Sequence, residues 1–398
     1  MFRYLLLIAV LLTPSFALAQ EEQPITWGGY TLKPTLLMQG SYNDNLRAED
    51  ANEAGDFVTT IAPALSISKS IRDHEFTLKA DGEMTRHKDE SDEDTTNYKL
   101  RFDGLLTALR SLKIPFFASY KQDHRQRYQE RTATTSVEPI EYNETRMGAG
   151  VAYQPNRAFV KAYGRYQQRR FDNGRNNAGG IVVRKDGDFD QIEAEIRVGY
   201  DSPLGYAPFL GLSYAVTDYE RGTFNGTDFS GAKRDNDAVQ AVAGMGFDYK
   251  GLVVGEVAIG QSWQRYDDAG IDDISALALR GEITWKPRER LALSVVASRK
   301  AEEDNFINQG LVETALALGA EYEIAHELFM NAALGYEFDD FESSNREDDI
   351  YSGSLGLVYK INRRFALETS YQMRSRQSNQ AAAEYDQNIF RIGLKSSL

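Results

Sequence analysis

The stretch Val160-Lys161-Ala162-Tyr163-Gly164-Arg165-Tyr166-Gln167-Gln168-Arg169 carries the pattern on which the fold turns. Successive side chains of an extended chain point to opposite faces. Val160, Ala162 and Tyr166 therefore share one face, and Lys161, Arg165, Gln167 and Arg169 share the other. One face is apolar; the other must meet water. The segment from Phe365 repeats the split, with Phe365, Leu367, Tyr371 and Met373 opposed to Glu368, Ser370, Gln372, Arg374 and Arg376. It recurs at Phe76, Leu78, Ala80 and Met84 against Lys79, Asp81 and Glu83, and at Tyr98, Leu100, Phe102 and Leu106 against Lys99, Arg101 and Asp103.

From residue 30 onward such strands are joined by connections that are short and long in turn. Tight, turn-forming connections are expected at Ser70 to Asp73, Arg110 to Lys113, Pro155 to Arg157, Ser202 to Gly205, Lys250-Gly251, Pro287 to Arg290, Ala325 to Glu327 and Asn362 to Arg364. Longer Asp-, Glu-, Asn- and Gly-rich connections are expected near residues 44–55, 87–95, 129–141, 171–187, 220–235, 267–274, 302–310, 342–348 and 377–385. Short turns on one side and long loops on the other characterise transmembrane antiparallel barrels, in which the strands alternate lipid-facing and lumen-facing residues. The pattern predicts an all-β, up-and-down barrel of about 18 strands, or about 16 if the weak segments near Leu252 and Asn388 do not count, with both termini on the periplasmic side. A soluble sandwich would alternate too. Its strands are shorter, its loops do not alternate in length, and it needs no aromatics at strand ends such as Tyr200, Tyr219, Trp263, Tyr266, Trp285, Tyr336, Phe338, Tyr351 and Tyr359. In a barrel these would form interfacial girdles.

Composition agrees. With 398 residues, 42% hydrophobic and 26% charged, and a mean hydropathy of −0.48, the chain is too polar for a bundle of membrane helices. Its 22 Tyr and 20 Phe make it too aromatic for disorder. The net charge of −14 argues against a nucleic-acid partner. A single apolar run, Tyr4 to Leu12, follows Arg3 and is followed by Pro14 and Ala17-Leu18-Ala19. It is too short to span a bilayer and reads as a signal peptide over residues 1–19, cleaved between Ala19 and Gln20. Residues 20–29 then form a short periplasmic segment, and 30–398 the barrel. No Cys follows the junction to take a lipid, and the chain contains none at all. A closed barrel satisfies its own backbone and needs no disulfide. The final Phe390, Ile392, Leu394 and Leu398 share one face. They look like the terminal signal read by the barrel-assembly machinery, though that signal commonly ends in an aromatic residue.

Pro34-Thr35-Leu36-Leu37 through Ser41-Tyr42-Asn43-Asp44-Asn45, then Asp56-Phe57, Ile61-Ala62-Pro63-Ala64-Leu65 and His74-Glu75-Phe76-Thr77-Leu78, form a strand-loop-strand signature that resembles the putative β-barrel porin 2 family. The resemblance is most distinct over residues 30–110. It implies an outer-membrane barrel of a kind often found with exopolysaccharide or capsule biosynthesis systems, and it carries over no catalytic residue.

Sequence motifs point to no enzyme. His74, His87, His124 and His326 form no ligand pair on one strand face, no cofactor motif is present, and Ser119 and His124 fall on opposite faces of one strand. Acidic runs at Glu49-Asp50, Asp89 to Asp94, Asp272-Asp273, Glu302 to Asp304 and Glu347 to Asp349 lack calcium-loop spacing and read as solvated loops facing lipopolysaccharide. Neither a metal nor another cofactor is expected. The candidate site is the lumen, with Lys121, Arg125 and Arg127 on one strand, Lys161, Arg165 and Arg169 on the next hairpin, and Arg197, Lys300, Arg374 and Arg376 beyond. Two readings stand. The cations filter an acidic solute such as an anionic polysaccharide handed on by export components, or, as favoured here, they pair with lumen carboxylates such as Asp81, Glu83, Glu193, Glu195 and Glu368. The expected function is a porin-like passive or accessory channel. The alternative is a non-conducting structural or adhesion barrel acting through its acidic loops.

Overall fold

The computed structural model describes residues 24–51, 53–129, 136–176, 178–304, 309–342 and 344–397. The expected signal peptide with its Ala19–Gln20 junction, and Leu398, lie outside them. The strands in chain order are β1 (Ile25–Trp27), β2 (Tyr30–Asn43), β3 (Asp56–Ile71), β4 (His74–His87), β5 (Thr95–Leu109), β6 (Leu112–His124), β7 (Glu141–Tyr153), β8 (Ala158–Phe171), β9 (Gly174–Arg175), β10 (Ile181–Val182), β11 (Phe189–Tyr200) and β12 (Tyr206–Tyr219). They continue as β13 (Asn236–Tyr249), β14 (Val253–Tyr266), β15 (Ile274–Arg288), β16 (Leu291–Asp304), β17 (Gln309–Ala325), β18 (Leu328–Phe341), β19 (Glu347–Lys360), β20 (Phe365–Ser378) and β21 (Tyr385–Ser397). Every long strand pairs antiparallel with its neighbours, and β2 pairs with both β3 and β21, so the sheet closes as an 18-stranded barrel. The expected count of 18 holds, and the alternative of 16 falls away. Closure leaves no long strand with an unpaired edge, as a lipid-spanning sheet requires. The short β1 pairs with the first residues of β2, Ile25 opposite Leu32, and β9 and β10 form a small hairpin inside the loop between β8 and β11.

Burial is inverted relative to a soluble protein. Leu210 is 67% exposed, Leu334 64%, Ile192 63% and Phe57 60%, while Asn45, Asp339 and Asp348 are at 0%. A soluble sandwich would bury the first set and hydrate the second. Along β8, Val160 and Ala162 look outward and are exposed, whereas Lys161, Tyr163 and Arg165 look inward and are partly covered. The eight tight connections fall where the turn residues put them. At Gly205 the backbone φ is +84, and an added Cβ would stand 2.4 Å from the Asp248 carbonyl oxygen, so that turn requires glycine.

The outward face carries one repeated contact. Tyr120 bonds Asn143, Tyr166 bonds Asp190, Tyr214 bonds Asp237, Tyr336 bonds Asp349 and Tyr371 bonds Asn388, at 2.6 to 2.9 Å. Each acceptor lies two residues before the register partner of its tyrosine, on the strand across a long loop. The rings stay against lipid while their hydroxyls mark the outer interface. Trp263, Trp285, Tyr351 and Tyr359 share this outward placement. Two residues assigned to the girdle do not belong to it. Tyr219 is buried and donates to Glu303 at 2.6 Å, and the Tyr266 hydroxyl accepts a hydrogen bond from Gln264. Outward positions are even on β12 and odd on β14, so both tyrosines fall on the inner face.

Inside, aromatic rings lie across glycines. Gly199 faces Phe159 and Gly244 faces Phe209 across paired strands. A Cβ at either glycine would stand 2.4 or 2.3 Å from the opposing ring. The glycines let the rings lie flat against the wall, a device that offsets the weak packing of glycine in strands. Phe159, Phe209 and Ala258 form one buried cluster there.

Candidate functional site

The inner wall from β6 to β14 is a chain of alternating charges. Lys121 reaches Asp123 at 3.2 Å and Glu144 at 3.7 Å. Glu144 also receives Arg146 at 2.9 Å and Arg169 at 2.5 Å, three cations on one carboxylate that is 3% exposed. Arg165 pairs with Glu193 at 2.6 Å and Glu195 at 3.1 Å. Arg197 stacks over the Phe209 ring at 4.1 Å and reaches Glu256 at 2.9 Å, passing from β11 to β14 over the strands between. That span depends on Phe209 lying flat, and so on Gly244. Lys161 sits over the Phe159 ring at 4.8 Å. Farther round, Lys300 pairs with Glu302 and lies 3.7 Å from Glu313.

Arg125 and Arg127 are not on a strand, contrary to expectation. β6 ends at His124, where the Arg125 N–H turns to the Ile140 carbonyl and closes the neck of a long loop, residues 125–140. Arg127 sits in a single helical turn of that loop. Its guanidinium clasps Glu93 at 2.9 and 2.5 Å and donates to the carbonyls of Ser136 and Val137. Both partners of the pair are nearly fully covered, at 5% and 3% exposure. Arg47 joins the same group through Glu90 at 2.8 Å. The next residue, Tyr128, belongs to another wall. Its carbonyl accepts a 2.6 Å bond from Arg376, and Arg374 stacks on its ring at 4.5 Å, both from β20. In the wall, β20 and β5 are separated by β21, β2, β3 and β4. The loop is therefore strapped inward, from the loop that precedes β5 to the face of β20.

A second tie joins loops on the other side. Buried Arg234 donates to the Asp186 carbonyl at 2.9 Å, stacks on Tyr219 at 4.2 Å and lies 3.7 Å from Glu303. Nearby, Asp188 accepts the Phe171 N–H at 2.6 Å. Burial, with Glu220 adding to it, pushes the Asp188 carboxyl up to about 6. On β17 and β18, carboxylate oxygens of Glu313, Glu337 and Asp339 lie within 4.8 Å of one another. Ser119 and His124 engage separate partners, the Arg146 carbonyl and Asn97.

Sequence reasoning missed Glu93, Tyr128, Glu144, Arg234 and Arg391. Parity could have found Arg391, which lies between the outward Phe390 and Ile392, and Glu144 by the same logic. No periodic signal marks loop residues.

A closed antiparallel barrel with an exposed apolar outside, a charged inside and an inward-strapped loop defines a porin-like barrel of the outer-membrane type. The chain belongs to the putative beta-barrel porin 2 family, whose profile matches residues 20–398. Among solved structures, the ferric enterobactin receptor PfeA of Pseudomonas aeruginosa, in its complex with BCV-L6, is similar with a TM-score of 0.50 and 10% identity, over 92% of this chain and 81% of that one. OccK2 (OpdF) of Pseudomonas aeruginosa follows with 0.49 and 8% identity over 92% and 98%. Outer-membrane expressed OmpT of Vibrio cholerae gives 0.38 and 14% over 94% and 100%. At such identities the likeness concerns the fold alone. No curated protein sequence matches the chain.

Proposed function

We propose that this barrel is a passive or accessory channel of the outer membrane that serves export of an exopolysaccharide or capsular polysaccharide. The observation that carries this reading is the inner face of the closed barrel, charged along its length, with a loop that Arg127 ties to the neighbouring loop before β5 and Tyr128 to the inner face of β20. A merely structural barrel has no need of charge inside, where each ion must be paired or hydrated. The signal peptide, cleaved after Ala19, delivers the chain to the periplasm, and the family match begins at Gln20. The outward Phe390, Ile392 and Leu394 of β21 present the terminal strand to the barrel-assembly machinery. Lipid and lipopolysaccharide meet the tyrosine belt. In this reading the protein is a conduit and not an enzyme.

The test is single-channel conductance of the refolded mature chain in a planar bilayer, with the reversal potential in a salt gradient. Steady openings with an ion preference that responds to the lumen charges support the channel. A folded but silent barrel overturns it in favour of a structural or adhesive role for the loops.

A further inference from the structure

β14 pairs with β15 as far as Gln264 and Ile274, and β16 pairs with β17 as far as Asp304 and Gln309. Among the described residues, no pair joins β15 to β16 beyond Leu279 and Arg299. The outer ends Ile274 to Ala278 and Lys300 to Asp304 have therefore come apart from each other. Arg299 stands five residues before the end of β16, as Tyr166, Tyr214 and Tyr336 of the outer belt stand before the ends of β8, β12 and β18. The split thus begins at the level of the belt and runs outward, where water satisfies backbone groups that lipid could not.

Parity shows where the freed ends have gone. Ala301 and Glu303 of β16, and Gly310 and Val312 of β17, occupy outward positions of the ladder, yet they meet inward residues of other strands. Val312, 2% exposed, packs with Ile274 and Ala276, and Ala301 lies against the same cluster. A Cβ on Gly310 would stand 2.4 Å from Cδ1 of Ile274 and 3.2 Å from the Tyr266 hydroxyl. Glu303 accepts the 2.6 Å bond from Tyr219 on β12 and lies 3.7 Å from Arg234. The outer ends of β16 and β17 are lapped over the inner face of β12 to β15.

The same register holds a second position for them. Continuing the β15–β16 ladder past Leu279 and Arg299 sets Leu277 opposite Ala301 and Ser275 opposite Glu303, and returns Ala301, Glu303 and Val312 to the outside of the wall. The lapped form gains the burial of Val312 and the Tyr219–Glu303 bond, and the zipped form gains a backbone ladder. Each forfeits what the other holds, as in an element with two packed positions.

We propose that the outer ends of β16 and β17 form a hinged lid on the extracellular mouth, narrowing it when lapped over β12 to β15 and clearing it when zipped to β15. β18 follows the movement, because Leu311 stays opposite Phe341. The movement stands apart from the channel reading above; its effect on current rests on that reading.

The chain contains no cysteine, so introduced pairs report each position in the folded barrel. Leu277→Cys with Ala301→Cys links the zipped form alone, since in the lapped form Leu277 faces out of the barrel and Ala301 lies against the inner face of the wall. Ile274→Cys with Gly310→Cys links the lapped form. In vesicles under mild copper-phenanthroline oxidation both pairs are expected to cross-link. Tyr219→Phe removes the hydroxyl that holds Glu303 and keeps the ring, and it should speed the zipped cross-link about tenfold, as for loss of a charged hydrogen bond. Single-channel current should rise when the lapped bond is reduced and fall when the zipped bond is reduced. A folded barrel in which Leu277→Cys and Ala301→Cys never cross-link overturns the proposal, as does a zipped rate that Tyr219→Phe leaves unchanged. Equal currents in the two linked forms would overturn the gating role. Cross-linking as expected in a barrel that never conducts would overturn the channel and leave the movement standing.

Discussion

Arg376 donates a 2.6 Å hydrogen bond to the carbonyl of Tyr128, a residue 248 positions away in the chain, while the neighbouring Arg127 is clasped by Glu93. Two consecutive residues thus fix one loop to the neighbouring loop before β5 and to the wall at β20. The Arg127–Glu93 pair is almost fully covered, and removing one partner of such a pair costs about 3–5 kcal/mol because the other charge stays buried. Glu93→Gln is therefore expected to free the loop. Amide exchange around Arg127 and Tyr128 should accelerate while the strands stay protected, and single-channel current should rise and become noisier. Unchanged exchange at those amides would mean that the strap is held by something other than Glu93.

Acidity should tighten the loop between β8 and β11. Asp188 has its carboxyl raised from 3.8 to about 6, chiefly by burial. A group that holds its proton more tightly when folded stabilises the fold fully below its unfolded value and loses that contribution as pH rises through the folded value. Protection of this loop against proteases is accordingly expected to be greater at pH 4 than at pH 7.5, with the loss running from about pH 4 and complete just above pH 6. Asp188→Asn keeps an oxygen to accept the Phe171 N–H and has no proton to lose. Its protection should be independent of pH over that range; a variant with the wild-type profile would assign the transition to another group.

The strands were legible because period-two alternation is local. Val160, Lys161, Ala162 and Arg165 reveal their faces within six residues, and Arg72-Asp73 or Lys250-Gly251 reveal a turn within two. The same rule, counted to the last residue, would have placed Tyr219 and Tyr266 inside. Proximity to a strand end suggests the girdle for both, and parity outweighs it. The charge of Arg127 continues the series from Lys121 and Arg125, and nothing in the series shows where β6 stops. Its partner Glu93 lies in the loop on the other side of the β5–β6 hairpin, a contact between loops that no strand periodicity marks. The pairing of Arg165 with Glu193, by contrast, follows from register once β8 and β11 are known to be neighbours.

Gly244 is expected to tolerate no larger side chain. A Cβ there would stand 2.3 Å from the Phe209 ring, and Phe209 supports the Arg197 guanidinium on its way to Glu256. Overpacking of this kind costs about 1–3 kcal/mol. Gly244→Val should lower the midpoint of urea unfolding in lipid vesicles, and Phe209→Ala in the same chain should recover part of the loss by vacating the space. If the double variant is as unstable as the sum of the two singles, the ring is not what the valine meets.

The inverted burial sets the last expectation, which separates the two faces of one hairpin. Leu334 lies midway along β18, looks outward and is 64% exposed. Ser354 lies midway along β19, and its side chain looks inward with those of Ser352 and Ile350. Their strands are paired and their depths match, since Leu334 stands opposite Gly353. An arginine facing lipid near the midplane costs about 2–4 kcal/mol, whereas one facing an aqueous lumen is hydrated. Leu334→Arg should therefore destabilise the refolded barrel in vesicles by about that amount, and Ser354→Arg by much less while shifting the reversal potential toward anions. Because the two sites share depth, strand pairing and introduced charge, membrane position cannot account for a difference between them. Equal penalties would mean that the interior at this level is as dry as the lipid face, and the channel reading would not survive it.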